Sequence, residues 1–183
     1  MAARPDPKDV SRLVRTVRQV RQFTPEPLPD EAVETLLQLA RWTGSSKNTQ
    51  PWHFIVVRDK ERLRKLSELR RPINWLAGAP LGIAIVLNGN ARTGEAYDEG
   101  RVTERIMIGA HSLGLGSGVA WYGEAEQQAE AKRILGIPAE RTARSMVMVG
   151  HPVSRQDPRP GRATGGRKPL EEIVSYERFG ERV

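Results

Sequence analysis

Between Gly44 and Phe54 the chain reads Gly-Ser-Ser-Lys-Asn-Thr-Gln-Pro-Trp-His-Phe. The Ser45 and Ser46 hydroxyls, the Asn48 and Gln50 amides and the Lys47 ammonium fall on one short turn. Such a set offers donors and acceptors to a polar ligand, whereas a bare connector needs only Gly or Asn. An Asn/Ser turn whose side chains bond their own backbone is the competing explanation for the same residues. The flanking elements give the turn its footing. Upstream, Val33, Leu36, Leu37 and Ala40 recur at helical spacing behind Asp30 as N-cap, and Gly44 fits the C′ position. Downstream, Phe54-Ile55-Val56-Val57 reads as a buried strand.

Other chemistries lack the residues they need. There is no cysteine, so disulfides, thiolate metal sites and a Cys nucleophile are excluded, and redox work requires a bound cofactor. His53, His111 and His151 stand far apart without metal-ligand spacing, and His53 at a strand entrance reads as packed or semi-exposed. No metal site is expected. Leu115 occupies the place two before Ser117 where a nucleophile elbow requires glycine. Gly114-Leu115-Gly116-Ser117-Gly118-Val119 approximates a dinucleotide fingerprint, but it joins a helix to a strand, the reverse of a Rossmann turn. It reads instead as a helix C-cap at Gly114 followed by a closely packed strand. Gly161 to Arg167 has the glycine spacing of a phosphate loop without its Gly-Lys-Ser/Thr end or a preceding strand.

Several segments together resemble the flavin-dependent nitroreductase family. The turn from Ser45 into the strand at Phe54 is similar to the segment that family carries after its second helix. Arg18-Gln19-Val20-Arg21-Gln22-Phe23 resembles its arginine-rich opening, with Val17 at the place of the first arginine and Gln19 at that of a serine. Asp98-Glu99-Gly100, the run from Leu113 to Gly116, Trp121-Tyr122-Gly123 and Gly166-Arg167-Lys168-Pro169-Leu170 follow in the family's order. The resemblance covers most of residues 15 to 179.

The resemblance implies an FMN-dependent oxidoreductase. NAD(P)H reduces the flavin, and the flavin reduces an electron-poor acceptor such as a nitroaromatic or quinone. A phosphate monoester calls for fixed Arg forks, which Arg18 and Arg21 supply, with Arg167 as a supplement and Gln19 donating an amide. Ser45, Ser46 and Asn48 suit the edge of the isoalloxazine. Tyr122 and Gly123 are placed to offer backbone N–H groups toward the reactive ring nitrogen, though they also read as an ordinary strand-to-helix turn with Glu124 opening the next helix. No catalytic acid or base is demanded. The resemblance further implies a homodimer with the 45–48 loop reaching the partner's cofactor. The chain departs from the family in the link between the strands near 57 and 82, a short insert by comparison. The alternative is a flavin-binding or basic nucleic-acid-binding module without turnover.

At 183 residues the chain is expected to be a single domain, with 155–183 as a C-terminal arm that packs on the partner subunit. The net charge of +7 is scattered among acidic residues, and the few aromatics are not interleaved with it. No specific nucleic acid is expected as partner. No signal peptide or membrane span is apparent, so the expected location is cytoplasmic. Helices are predicted through Val10 to Val17 and at about 30 to 43, 59 to 70, 97 to 113 and 124 to 135. Apolar runs lie at 54 to 57, 82 to 87, 117 to 121 and 145 to 149. The expected fold is α+β, a three-layer α-β-α nitroreductase-like arrangement with a mixed, mostly antiparallel sheet.

Overall fold

Four strands alternate with helices along the chain. The computed structural model describes residues 5–153 and 167–182. In chain order the elements are α1 (Pro7–Thr16), α2 (Asp30–Arg41), β1 (Trp52–Val57), α3 (Lys60–Glu68), β2 (Leu81–Leu87), α4 (Arg92–Ser112), β3 (Gly116–Trp121), α5 (Ala125–Leu135), β4 (Ser145–Gly150) and α6 (Leu170–Ile173), with 3-10 stretches at Ser46–Asn48 and Arg71–Gly78. The sheet order is β1-β2-β4-β3, every strand pair antiparallel. Among the described residues the one parallel pairing is the isolated bridge between Gln19 and Ser117.

The period of two along the central strands builds the layers. Leu81, Ile83, Ile85 and Leu87 of β2, with Val147 and Val149 of β4, face α2 and α4. Ala84, Met146 and Met148 face the opposite way, against Leu63 and Leu66 of α3, Ile73 and Leu76 of the 71–78 stretch, and Ala131 of α5. β2 and β4 are buried on both faces, so they read as continuous apolar runs.

Local chemistry moves several boundaries. α4 begins at Arg92, earlier than its apolar periodicity, because the buried Glu95 carboxylate accepts from the N–H groups of Gly89, Asn90 and Ala91 at 3.1, 3.0 and 3.4 Å. Asp98 and Glu99 therefore lie inside the helix. In α2, Pro29 takes the N-cap position, and Asp30 is the first helical residue with its carboxylate 2.6 Å from Arg58. The helix stops at Arg41 with Trp42 as C-cap, and Gly44 is not left-handed. β1 runs from Trp52 as an edge strand, and it is part exposed where a buried strand was expected. The 71–78 stretch lacks helical periodicity, and its inward residues Ile73 and Leu76 are three apart, the repeat of a 3-10 turn.

The glycine-rich run after α4 is a packing device. Gly114, at φ +75°, ends the helix in the left-handed region. Gly116 and Gly118 then let residues 19 and 20 lie directly on β3. A Cβ at Gly116 would stand 3.0 Å from three Val20 side-chain atoms; one at Gly118 would overlap the Val20 carbonyl oxygen and lie 3.0 Å from Trp75.

The polar part of the arm, Ser154 to Gly166, falls outside the described residues, and with it all of the Gly161 to Arg167 stretch but Arg167. Beyond it α6 and residues to Phe179 expose Leu170, Ile173, Tyr176 and Phe179. No helix among the described residues is long and apolar enough to cross a membrane.

Gly118→Val is expected to lower unfolding free energy by roughly 2 kcal/mol or more, the scale of overpacking against fixed backbone. Gly94→Ala, where an added Cβ meets nothing within 4 Å, is expected to be neutral or to stabilise by up to about 1 kcal/mol. Urea titration of both variants checks the contrast.

Candidate functional site

Residues 17 to 24 leave α1 and cross the end of the sheet as a strap. Val20 donates its N–H to the Ser117 carbonyl at 2.6 Å, Thr24 donates to His151 at 2.8 Å, and Val153 donates back to Gln22 at 3.1 Å. Phe23 buries beneath the crossing. With its backbone fixed at both ends, the strap aims its side chains in two directions. The Gln19 amide donates to the Val119 carbonyl at 3.3 Å, along β3. The Arg21 guanidinium carbon lies 5.8 Å from the centroid of the Trp75 ring. Arg18 turns the other way, its Nη1 donating to the carbonyls of Arg15 and Val17 at 2.8 and 2.7 Å. It lines a cavity of about 100 Å³ with Thr16, Val20, His111, Ser117 and Pro152. In that wall the His111 Nε2 and Thr16 Oγ1 are hydrogen-bonded at 2.9 Å.

The turn after α2 is strained. Lys47, Asn48 and Gln50 have φ of 51°, 54° and 46°, three left-handed residues without a glycine among them. Each costs about 1 kcal/mol, and such strain collects at functional sites. Its hydrogen bonds stay within the turn: Ser45 Oγ accepts from the Gln50 N–H at 2.8 Å, and Asn48 N–H donates to the Ser45 carbonyl at 3.1 Å. The self-bonded Ser turn is thus present, yet it leaves the side chains of Ser46, Lys47, Asn48 and Gln50 exposed. Gly44 permits the approach of Arg101 from α4, whose Nη2 would lie 2.8 Å from a Cβ at that position.

At the far end of β3 the chain turns into α5. Gly123, at φ +82°, takes a conformation that side chains resist. Glu124 then caps α5 through a capping box with Gln127. The strand-to-helix turn with Glu124 opening the next helix is present. The Tyr122 N–H is committed to the Arg144 carbonyl at 2.9 Å, and the Tyr122 side chain is fully buried. The Gly123 N–H makes no bond among those described, so it is the donor available to a ligand. Arg144 is itself held from α4: its Nε meets Glu99 Oε2 at 2.8 Å, while the Ser145 hydroxyl donates to Glu99 Oε1 at 2.6 Å. One residue earlier, Asp98 pairs with Arg101 at 3.5 Å. Adjacent acids on α4 therefore brace both loops, Asp98 through Arg101 against Gly44 and Glu99 through Arg144 against Tyr122.

Of the residues singled out in the sequence, Gln19 and Arg21 come together beside β3, and Tyr122 and Gly123 close the same strand. Arg18 stands apart on the cavity side. Ser45, Ser46 and Asn48 lie on the α2–α4 side, and none of their described bonds reaches the strap. Arg167 is exposed and forms no described bond with it. Arg70, Trp75 and His111 were not anticipated. Arg70 and Trp75 come from a stretch without periodicity, and the Thr16 contact of His111 joins residues 95 positions apart.

The nitroreductase family model matches residues 14–72. An Archaeoglobus fulgidus protein named as an NADH dehydrogenase/NAD(P)H nitroreductase is 33% identical over 155 residues, covering 80% of this chain and 87% of its own length. The chain belongs to the nitroreductase family. The NAD(P)H FMN reductase of Bacillus subtilis is 28% identical over 184 residues, with 88% of this chain and 71% of that protein covered. A Desulfovibrio desulfuricans nitroreductase solved in complex with FMN has a TM-score of 0.77 at 26% identity, covering 96% of this chain and 99% of that one. The nitroreductase-like α+β fold expected from the sequence is the fold observed. Its strap, its strained turn and its 122–123 turn are three of the segments on which the resemblance rested.

Burial of the Tyr122 phenol, whose oxygen finds no partner, pushes its pKa up. The unfolded chain loses this proton above about pH 10 while the folded state keeps it, so stability falls as pH rises through and beyond that point. Tyr122→Phe removes the effect. The variant is expected to match or exceed wild type at pH 7, and the gap should widen in its favour by about 1.4 kcal/mol per pH unit above pH 10. Denaturant unfolding at pH 7, 10 and 11 measures it.

Proposed function

We propose that this nitroreductase-family chain is an FMN-dependent oxidoreductase that uses NAD(P)H to reduce an electron-poor acceptor, a nitroaromatic or a quinone. The observation that carries the reading is the layout of β3. Its first half lies under a strap bearing Gln19 and Arg21, and its last residue leads to a left-handed Gly123 with an uncommitted N–H. These donors fit FMN: a cation and an amide suit a phosphate and its sugar chain, and a fixed backbone N–H suits the edge of a flavin ring.

When bound, FMN would supply the hydride chemistry that links NAD(P)H to the acceptor. The chain's own part is to bind and orient. The strap keeps Arg21 from rotating away by stacking it on Trp75. The Arg144 carbonyl fixes the Tyr122 N–H, which sets the direction of the next peptide and hence of the Gly123 donor. No side-chain acid or base is required in this scheme. The short link between β1 and β2 leaves little material to cover the acceptor. Among the described residues, pairs such as Arg12–Asp9, Arg58–Asp30 and Arg133–Glu130 neutralise part of the basic charge.

A homodimer completes the reading, with the whole chain as one domain and its C-terminal arm laid on the partner. α1 buries no residue, although Val10 and Val14 share one face. Trp42 and Tyr97 are 72% and 75% exposed, and Phe179 is fully exposed. Apolar area of this kind, spread over α1, α2, α4 and the arm, suits a subunit interface. In that arrangement Ser45, Ser46 and Asn48 serve the partner's flavin, and Arg18 and Arg167 add positive charge near the phosphate.

The purified protein is expected to be yellow, to release FMN and not FAD on denaturation, and to bleach with NADH or NADPH. Arg21→Ala should weaken FMN binding by about 1.5–3 kcal/mol, the scale of a charge-assisted hydrogen bond, while Arg64→Ala on exposed α3 leaves it unchanged. Fluorescence titration of FMN measures both. Colourless protein that takes up no added FMN would refute the assignment.

A further inference from the structure

The short connection between β1 and β2 does more than link strands. Arg70, just before its 3-10 stretch, reaches to the end of β3. Its Nη1 donates to the Trp121 carbonyl at 3.2 Å, and its guanidinium carbon lies 5.1 Å from the centroid of the Trp121 ring. Its stem passes so close to Gly123 that a Cβ there would lie 3.3 Å from Nε and 3.4 Å from Cδ. Trp121 remains 50% exposed.

Arg12, Arg58, Arg64, Arg101, Arg133 and Arg144 each pair with a carboxylate. Among the described residues no acidic side chain pairs with Arg70. An unpaired guanidinium over a half-exposed indole is a two-part receptor. The indole offers flat apolar area to a ring, and the guanidinium offers donors to an anion held in the plane of that ring.

We propose that Arg70 and Trp121 form an acceptor subsite selective for aromatic compounds that carry a carboxylate. The proposal rests on the functional reading above, in which the Gly123 N–H would serve the edge of the flavin ring. Gly123 is the residue Arg70 touches, so a ring bound on Trp121 would lie beside that edge. A diphosphate from the nicotinamide co-substrate is the other anion that reaches such a site. The structure favours the carboxylate: with Nη1 tied to the Trp121 carbonyl, one side of the fork is left for a monoanion, and the adjoining indole matches a ring attached directly to it.

Benzoate, which is not an electron acceptor, tests binding without turnover. Calorimetric titration of the holoprotein should give a benzoate dissociation constant about tenfold higher in Arg70→Ala than in wild type, the loss of one partly exposed charge-assisted contact. Arg70→Lys should recover part of that loss, and neutral benzyl alcohol should not separate the three proteins. In steady-state assays the ratio of kcat/KM for 4-nitrobenzoate to that for nitrobenzene should fall by a similar factor in Arg70→Ala. Melting curves and FMN content establish that each variant is folded and loaded. Equal benzoate affinity in wild type and Arg70→Ala overturns the proposal, as does a rise in the KM for NADH with the nitrobenzoate ratio unchanged. Protein that holds no flavin would sink the functional reading instead, and the same benzoate titration of the flavin-free protein then decides aromatic carboxylate binding at Arg70 and Trp121 by itself.

Discussion

The contact on which the site depends is the hydrogen bond from the Val20 N–H to the Ser117 carbonyl, made possible by the absence of side chains at Gly116 and Gly118. Edge strands usually need a cover for their unpaired backbone. Here the strap provides part of it and thereby acquires a fixed position. A backbone pinned to a sheet loses little further entropy when a ligand arrives, so Gln19 and Arg21 are organised before binding. The same strand then ends in the Gly123 turn. One element sets the direction of both groups of donors.

α4 links this edge to the rest of the molecule. Glu99 and Asp98 are both buried acids, but their partners differ: Arg144 is itself nearly buried, whereas the Arg101 side chain is 54% exposed. Removing a partner from a buried pair such as Glu99–Arg144 costs several kcal/mol. Glu99 secures the start of β4 and, through the Arg144 carbonyl, the Tyr122 peptide. Asp98 secures Arg101 beside the strained turn. The two loops that carry the candidate ligand contacts are thus fastened to one helix through adjacent residues.

Much of this was legible in the sequence, for definable reasons. The double-sided burial of β2 and β4 writes continuous apolar runs, and Gly114, expected as the C-cap, is the left-handed residue just after the C-cap Leu113. The glycines of 116 and 118 were readable as close packing, but not what packed on them, because Val20 lies almost a hundred positions away. Periodicity failed at the start of α4, where Glu95 caps the helix from within. It failed again at Asp30 and Gly44, where a neighbouring arginine rather than the local backbone decided the role. Arg70 left no local signal at all. Its significance comes from Trp121 and Gly123, half a hundred residues further along.

In the dimer we propose, each flavin is held by the strap and β3 of one chain and the strained turn of another. Mixing defects tests this most directly. Arg21→Ala removes the cation from the strap; Asn48→Gly removes the amide from the turn while tolerating its left-handed backbone. Differently tagged chains carrying one substitution each are co-expressed, and the heterodimer is isolated and titrated with FMN. If the two residues at one flavin come from different chains, one site carries both defects and the other neither, so about one high-affinity FMN per dimer is recovered where each mutant homodimer has none. Weak binding at both sites of the heterodimer, or a monomer that holds FMN tightly, would contradict the claim.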